Sequence, residues 1–103
     1  MKDSKKARLE KAGWKIGSAD EFLALSPEES AYLDLRLALS DAVKKRRLGA
    51  RLTQQELAER LASSQSRVAK MEAGDATVSL DLLVRSLLSL GATRRDLAKM
   101  IGA

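Results

Sequence analysis

Residues Leu52 to Gly74 read LTQQELAERLASSQSRVAKMEAG, and this stretch decides the fold. Thr53-Gln54-Gln55-Glu56 is a capping box: the threonine hydroxyl takes a free amide of the first helical turn, and the glutamate reaches back to the cap. The helix it opens buries Leu57, Ala58 and Leu61 and exposes Glu56, Glu59 and Arg60. Ala62-Ser63-Ser64 is the turn. Ser64 caps a second helix, Gln65 to about Ala73, with Val68 and Met71 turned inward and Gly74 as its left-handed stop. Ala58 and Val68 suit a close helix crossing, and a bulky side chain at 58 would push the pair apart. The second helix then carries small polar and basic side chains on its free face. That is the design by which a protein pushes a helix into the major groove of DNA.

Composition points the same way. At 103 residues one domain with a modest core is expected. The absence of cysteine and histidine removes disulfides, thiol chemistry and Cys/His metal sites, and suits a reducing cytosol. No apolar run reaches the roughly 18 residues of a membrane span. The basic N-terminus (Lys2, Lys5, Lys6, Arg8, Lys11) lacks the apolar core of a signal peptide. The expected location is the cytoplasm, in association with the nucleoid. The net charge of +5 is unevenly placed: residues 1–33 carry six charges of each sign, whereas residues 34–74 carry nine positive and five negative. The excess sits on the two-helix stretch and the helix before it. Either it is a solvated basic surface or it attracts phosphate.

Outward from the central stretch, Leu and Ala dominate and helix starts recur, so the chain reads as all-α with five or six helices. Residues 1–33 read as an N-terminal arm with a short helix, and 34–103 as the domain proper. Within the arm, residues 1–17 are polar and read as flexible, with Trp14 and Ile16 as an anchor. Ser18 to Glu21 is a capping box for a short helix covering Phe22, Leu23 and Leu25. Ser26-Pro27-Glu28-Glu29 opens a long helix to about Leu48. Its apolar stripe, Leu35, Leu39, Val43 and Leu48, is widened by Leu33 and Leu37, and Gly49 lies near its stop. Ser79 caps a leucine-dense helix that Gly91 ends, and Thr93 with Asp96 opens a last one.

Leu52-Thr53-Gln54-x-Glu56-Leu57-Ala58 followed by Ser64-Gln65-Ser66-x-Val68-x-x-Met71-Glu72-x-Gly74 resembles the phage repressor and Cro type of helix-turn-helix, the XRE family. The likeness spans roughly residues 34–91. It implies a five-helix Cro/C1 (lambda-repressor-like) domain. Gly13-Trp14-Lys15-Ile16-Gly17, Phe22-Leu23-x-Leu25-Ser26 and the helix from Pro27 are further similar to the HigA-type antitoxins, repressors of toxin–antitoxin operons.

Residue roles follow. The base-contacting candidates are Gln65, whose amide can pair with adenine N6 and N7; Ser66, a less selective donor and acceptor; Arg67, which can fork onto guanine O6 and N7; and Lys70, one turn on. Ala69 has room for a thymine methyl. The bland alternative for each is a solvated helix surface. Gln54, at the positive end of its helix, has a position that grips a backbone phosphate in the family, with Thr53 beside it; Thr53 is first of all an N-cap. Lys44, Lys45 and Arg51 are diffuse phosphate contacts. The resemblance implies that Glu72 pairs with Arg47 as a brace rather than touching DNA. Leu87, Leu90, Leu97, Met100 and Ile101 are read as a two-fold dimer interface, against the plainer reading of ordinary core. The expected partners are a palindromic double-stranded operator, a second copy and, as the HigA likeness implies, a small basic toxin of the RelE/HigB type, for which Trp14, Phe22 and Leu25 of the arm are the candidate anchors; the plainer reading is that the arm packs against the core. Alternatives are a stand-alone repressor and a protein-binding adaptor. No cofactor or metal is expected. With no nucleophile–base pair and no glycine-rich phosphate loop, an enzyme is not expected either.

Overall fold

The computed structural model describes residues 2–14 and 25–102. They form six helices and no strand: α1 Lys2–Lys11, α2 Pro27–Gly49, α3 Gln54–Arg60, α4 Gln65–Ala73, α5 Leu80–Ser89 and α6 Arg94–Gly102. The all-α expectation holds.

From α2 onward each start is written in the sequence. Ser26 Oγ accepts from the Glu29 amide ahead of Pro27, and Ser79 and Ser64 cap α5 and α4 in the same way. Thr53 with Glu56 and Thr93 with Asp96 close reciprocal boxes. The ends share one device as well. In α1 the Trp14 amide returns to the Leu9 carbonyl and the Gly13 amide to Glu10, with Gly13 at φ +97°. Gly74 closes α4 by the same pattern. Two other stops lack glycine: Arg51 after α2 and Ala62 after α3 adopt φ +59° and +53°. The stop after α2 therefore falls at Arg51, two residues past Gly49.

The main core is a single cluster. Leu39 and Val43 of α2 meet Leu57 and Ala58 of α3, Val68 and Met71 of α4, and Leu83 and Leu87 of α5, closed by Val78 and Ala92. Ala58 and Val68 are both fully buried at the α3–α4 crossing. Most of this cluster is aliphatic and each burial is worth roughly 1.5–3 kcal/mol. Leu87 has no exposed surface, so this member of the expected dimer face is core instead. Leu90, Leu97 and Met100 pack partly against the same cluster, and Ile101 is exposed.

The N-terminal segment departs from expectation. Residues 2–11 are a docked helix, not a flexible arm. Leu9 of α1 is fully buried in a second cluster with Leu33 and Leu37, flanked by Trp14 and Leu25. Lys5 reaches Asp34 at 2.7 Å and Arg8 pairs with Asp41. Thus α2 is covered on two sides, by α3–α5 at Leu39 and Val43 and by α1 at Leu33 and Leu37. Leu48, placed on the stripe from sequence, is exposed. The expected short helix at Phe22 and the Ile16 anchor lie outside the described residues. The boundary set at residue 34 falls within α2. No helix among the described residues is long and apolar enough to cross a membrane.

Candidate nucleic-acid interface

The interface is built on a buried brace. Arg47, near the end of α2, donates from Nε and Nη2 to the two carboxylate oxygens of Glu72 in α4, at 2.5 and 3.0 Å. Its Nη1 donates to the Leu52 carbonyl at 2.8 Å, so one guanidinium ties α2, the link to α3, and α4. Both side chains are over nine-tenths buried. The hydrogen bonds donated to Glu72 raise the Arg47 pKa further; burial opposes them, and the Glu72 charge adds to the rise. The expected pair is present, in the bidentate geometry that favours arginine.

From this brace a chain of amides runs to the surface. Gln54 Nε2 donates to Glu72 Oε1 at 3.2 Å, and Gln65 Nε2 donates to Gln54 Oε1 at 2.6 Å. The first residue of α3 and the first of α4 are therefore locked together. The Gln54 amide, expected from sequence at a phosphate, is here the link that fixes Gln65. Gln65 donates one of its two amide protons to Gln54, leaving the second and the carbonyl oxygen for a base edge.

On the outer face of α4, Gln65, Ser66, Arg67 and Lys70 are all exposed, within about one and a half turns of helix. Ala69 is half-buried between them. Thr53, Lys44, Lys45 and Arg51 are exposed. Thr53 Oγ1 accepts from the Glu56 amide, and Glu56 Oε1 accepts from the Thr53 amide; these bonds hold the Glu56 carboxyl below its usual range. Thr53 is thus an N-cap first.

Beside α4 lies a cleft of about 240 Å³ lined by Ser64, Ser66, Arg67, Lys70, Thr77 and Val78. Its far wall is the loop after Gly74. Asp75 Oδ1 accepts from the Thr77 amide and hydroxyl, which lowers the Asp75 pKa, with smaller help from Lys70 and Arg36. Arg36 was missed from sequence. It is buried, and its Nη2 donates to the carbonyls of Asp75 and Val78. The signal was available: Arg36 falls on the face of α2 that carries Leu33, Leu39, Ser40 and Val43, where a charge needs a partner.

A second concavity runs between α2 and α6. One part, about 690 Å³, is lined by Ala38, Ala42, Lys45, Leu90 and Met100; the other, about 540 Å³, by Tyr32, Leu35, Ala38, Met100 and Ile101. Three of the residues assigned to the dimer face, Leu90, Met100 and Ile101, line this groove, whereas Leu97 is half-buried against the main core and does not line it.

Comparison with known families agrees with the central geometry. Residues 43–85 match the family model described as helix-turn-helix. The likeness to a helix-turn-helix family is thus confined to this segment. The match starts at Val43 in α2 and ends at Arg85 in α5, so it contains the α3–α4 pair and the loop behind it, and excludes α1 and α6. No curated protein and no solved structure matches the chain. Within the helix-turn-helix, α4 is the second helix, the one that such units lay in the major groove with its N-terminal residues toward base edges. The N-terminal residues of α4 in this chain are Gln65, Ser66 and Arg67.

Proposed function

We propose that this protein is a sequence-specific DNA-binding transcriptional regulator, a repressor acting on its own promoter. The observation that carries the reading is the set of exposed side chains Gln65, Ser66, Arg67 and Lys70 on a helix held rigid by the Arg47–Glu72–Gln54–Gln65 chain. A buried ion pair extended to a surface glutamine does more than steady a helical bundle; it pre-organises a reading head. Gln65 and Arg67 select bases, while Gln54, Thr53, Lys44 and Arg51 hold phosphate. Its work is binding, not catalysis, carried out in the cytoplasm at the nucleoid.

One such domain makes few base contacts, so the operator is a palindrome read by a homodimer at half-sites roughly 34–36 Å apart. The α2–α6 groove, with Met100 and exposed Ile101, is the face for the second copy; Leu87 has no part in it. Ile101→Asp should give a monomer in sedimentation and weaken operator binding.

An antitoxin role would require a surface for a RelE/HigB-like toxin. Trp14 and Leu25, two of the three expected anchors, already pack on the Leu9 cluster of this chain. That observation favours a stand-alone repressor. Co-purification of a short basic protein encoded beside the gene would restore the antitoxin reading.

The test of the function is a gel shift on the gene's own promoter across a salt series. Wild type should bind with affinity falling steeply with salt. Gln65→Ala and Arg67→Ala should each lose roughly 10-fold or more, the worth of a base contact at 1–3 kcal/mol. Full binding by both variants would overturn the assignment of α4 as the reading helix.

A further inference from the structure

The loop Gly74–Val78 forms one wall of the cleft beside the reading helix, yet much of what holds it comes from outside the matched helix-turn-helix. The Ala76 amide donates to the Ala12 carbonyl at 3.0 Å. Trp14 Nε1 donates to the Gly74 carbonyl at 3.1 Å. Arg36 donates to the Asp75 and Val78 carbonyls. The Trp14 ring in turn lies over the Arg36 guanidinium, 5.0 Å from centroid to carbon, with Tyr32 at 6.0 Å on another side. Arg36 is 5% exposed, so the aromatic face supplies part of what water would have given the cation. Four consecutive or near-consecutive backbone groups are thus fixed by α1's C-terminal turn and one arginine of α2.

We propose that the C-terminal turn of α1, through Trp14, is a positioning clamp for the DNA-facing loop, and that it sets operator affinity without touching DNA. The inference rests on the DNA-binding reading above. Trp14 is a positioning residue. It orders Gly74–Val78, which places Thr77 across the cleft from Arg67 and Lys70. With the loop already ordered, binding does not have to order it. Releasing Trp14 returns that cost to the binding step. The clamp is also built to be releasable. Among the described side chains of α1, Leu9 alone is buried, and the ion pairs to Asp34 and Asp41 involve carboxylates with more than half of their surface exposed. The surface pairs contribute little and weaken with salt.

The experiment uses the full chain and a duplex of its own promoter. Trp14→Phe keeps a ring over Arg36 and removes the donor to Gly74. It should lower affinity about fivefold, the worth of one hydrogen bond. Trp14→Ala should lower it further. Amide hydrogen exchange in the free protein supplies the readout that a merely structural role would not move: the Ala76 amide should exchange at least tenfold faster, while Val68 and Met71 keep their protection. Arg67→Ala is the parallel control. Wild-type affinity in both Trp14 variants with lost binding in Arg67→Ala overturns the clamp and leaves the DNA reading standing. Even loss of protection across the whole chain overturns it as well, since Trp14 would then be plain core. If the wild-type protein does not bind the promoter duplex, the DNA reading falls and the clamp with it.

Discussion

Replacing Glu72 with alanine removes the carboxylate on which three side-chain hydrogen bonds converge, two from Arg47 and one from Gln54. Arg47 would be left 8% exposed with the Leu52 carbonyl as its remaining partner. A buried charge stripped of its counterion costs about 3–5 kcal/mol. The retained carbonyl and the position near the end of α2 place the expected loss at the lower end, about 3 kcal/mol. Against the roughly 5–15 kcal/mol of a small domain this is a large fraction. In urea, with a slope near 1–1.5 kcal/mol/M for a chain of this size, the midpoint should fall by about 2–3 M. The double replacement Arg47→Met with Glu72→Leu separates charge from packing. It removes both ions and should return to within about 1 kcal/mol of wild type. Operator affinity should not return with it, because Gln54 still lacks the acceptor that aims it at Gln65. A Glu72→Ala loss under about 1 kcal/mol would refute the reasoning, and so would a double variant that recovers full DNA affinity.

Three further outcomes follow from the same geometry. Ala62 sits at φ +53° in the turn between α3 and α4, a conformation costing an alanine about 1 kcal/mol, so Ala62→Gly should stabilise by up to about that amount in equilibrium unfolding; a loss would show that the turn is not strained there. Leu9→Ala removes the buried centre of the α1 contact, worth about 2 kcal/mol or more, and should raise proteolysis within residues 2–14 before the rest of the chain is cut; uniform cutting would mean that α1 and the core melt together. Hydrogen bonds from Thr53, Thr77 and Thr93 hold the carboxyls of Glu56, Asp75 and Asp96 below their ordinary values. A depressed folded pKa means stability that is present above the unfolded value of about 4 and is lost as pH falls through the folded one. With no histidine to titrate, the melting temperature should be nearly flat between about pH 8 and 5 and drop below about pH 4; an unchanged melt at pH 3 would remove these caps from the account.

Local rules made much of this molecule legible in advance. Capping boxes at Thr53 and Thr93, the serine caps at 26, 64 and 79 and the glycine stop at 74 depend on neighbours within a few residues, and all fall where the sequence places them. The Arg47–Glu72 pair spans 25 positions and was legible through a family likeness, not through spacing. What stayed hidden depends on faces. A segment reading KDSKKARLEK shows no apolar stripe, so α1 looked like a loose arm, although its residues are good helix formers and Gly13 is a fitting stop. The clue lay in α2. Leu33 and Leu37 widen its apolar stripe beyond what one packing partner can cover, and Arg36 lies inside that width. An over-wide stripe on a long helix demands a second cover, and the cover has to supply something for the arginine. Trp14 meets both needs, standing one residue past the stop of α1 with an aromatic face for the cation and an N–H for the Gly74 carbonyl. The same argument bears on the leucines assigned to a dimer. Leu87 lies one helical turn from Leu83 on the face of α5 that meets α2, so a dense leucine helix need not have surplus surface. The surplus is on α6, where Met100 and Ile101 border a groove and Leu97 is half-buried. A contact with a second copy must therefore be argued from that groove, not from the leucine count.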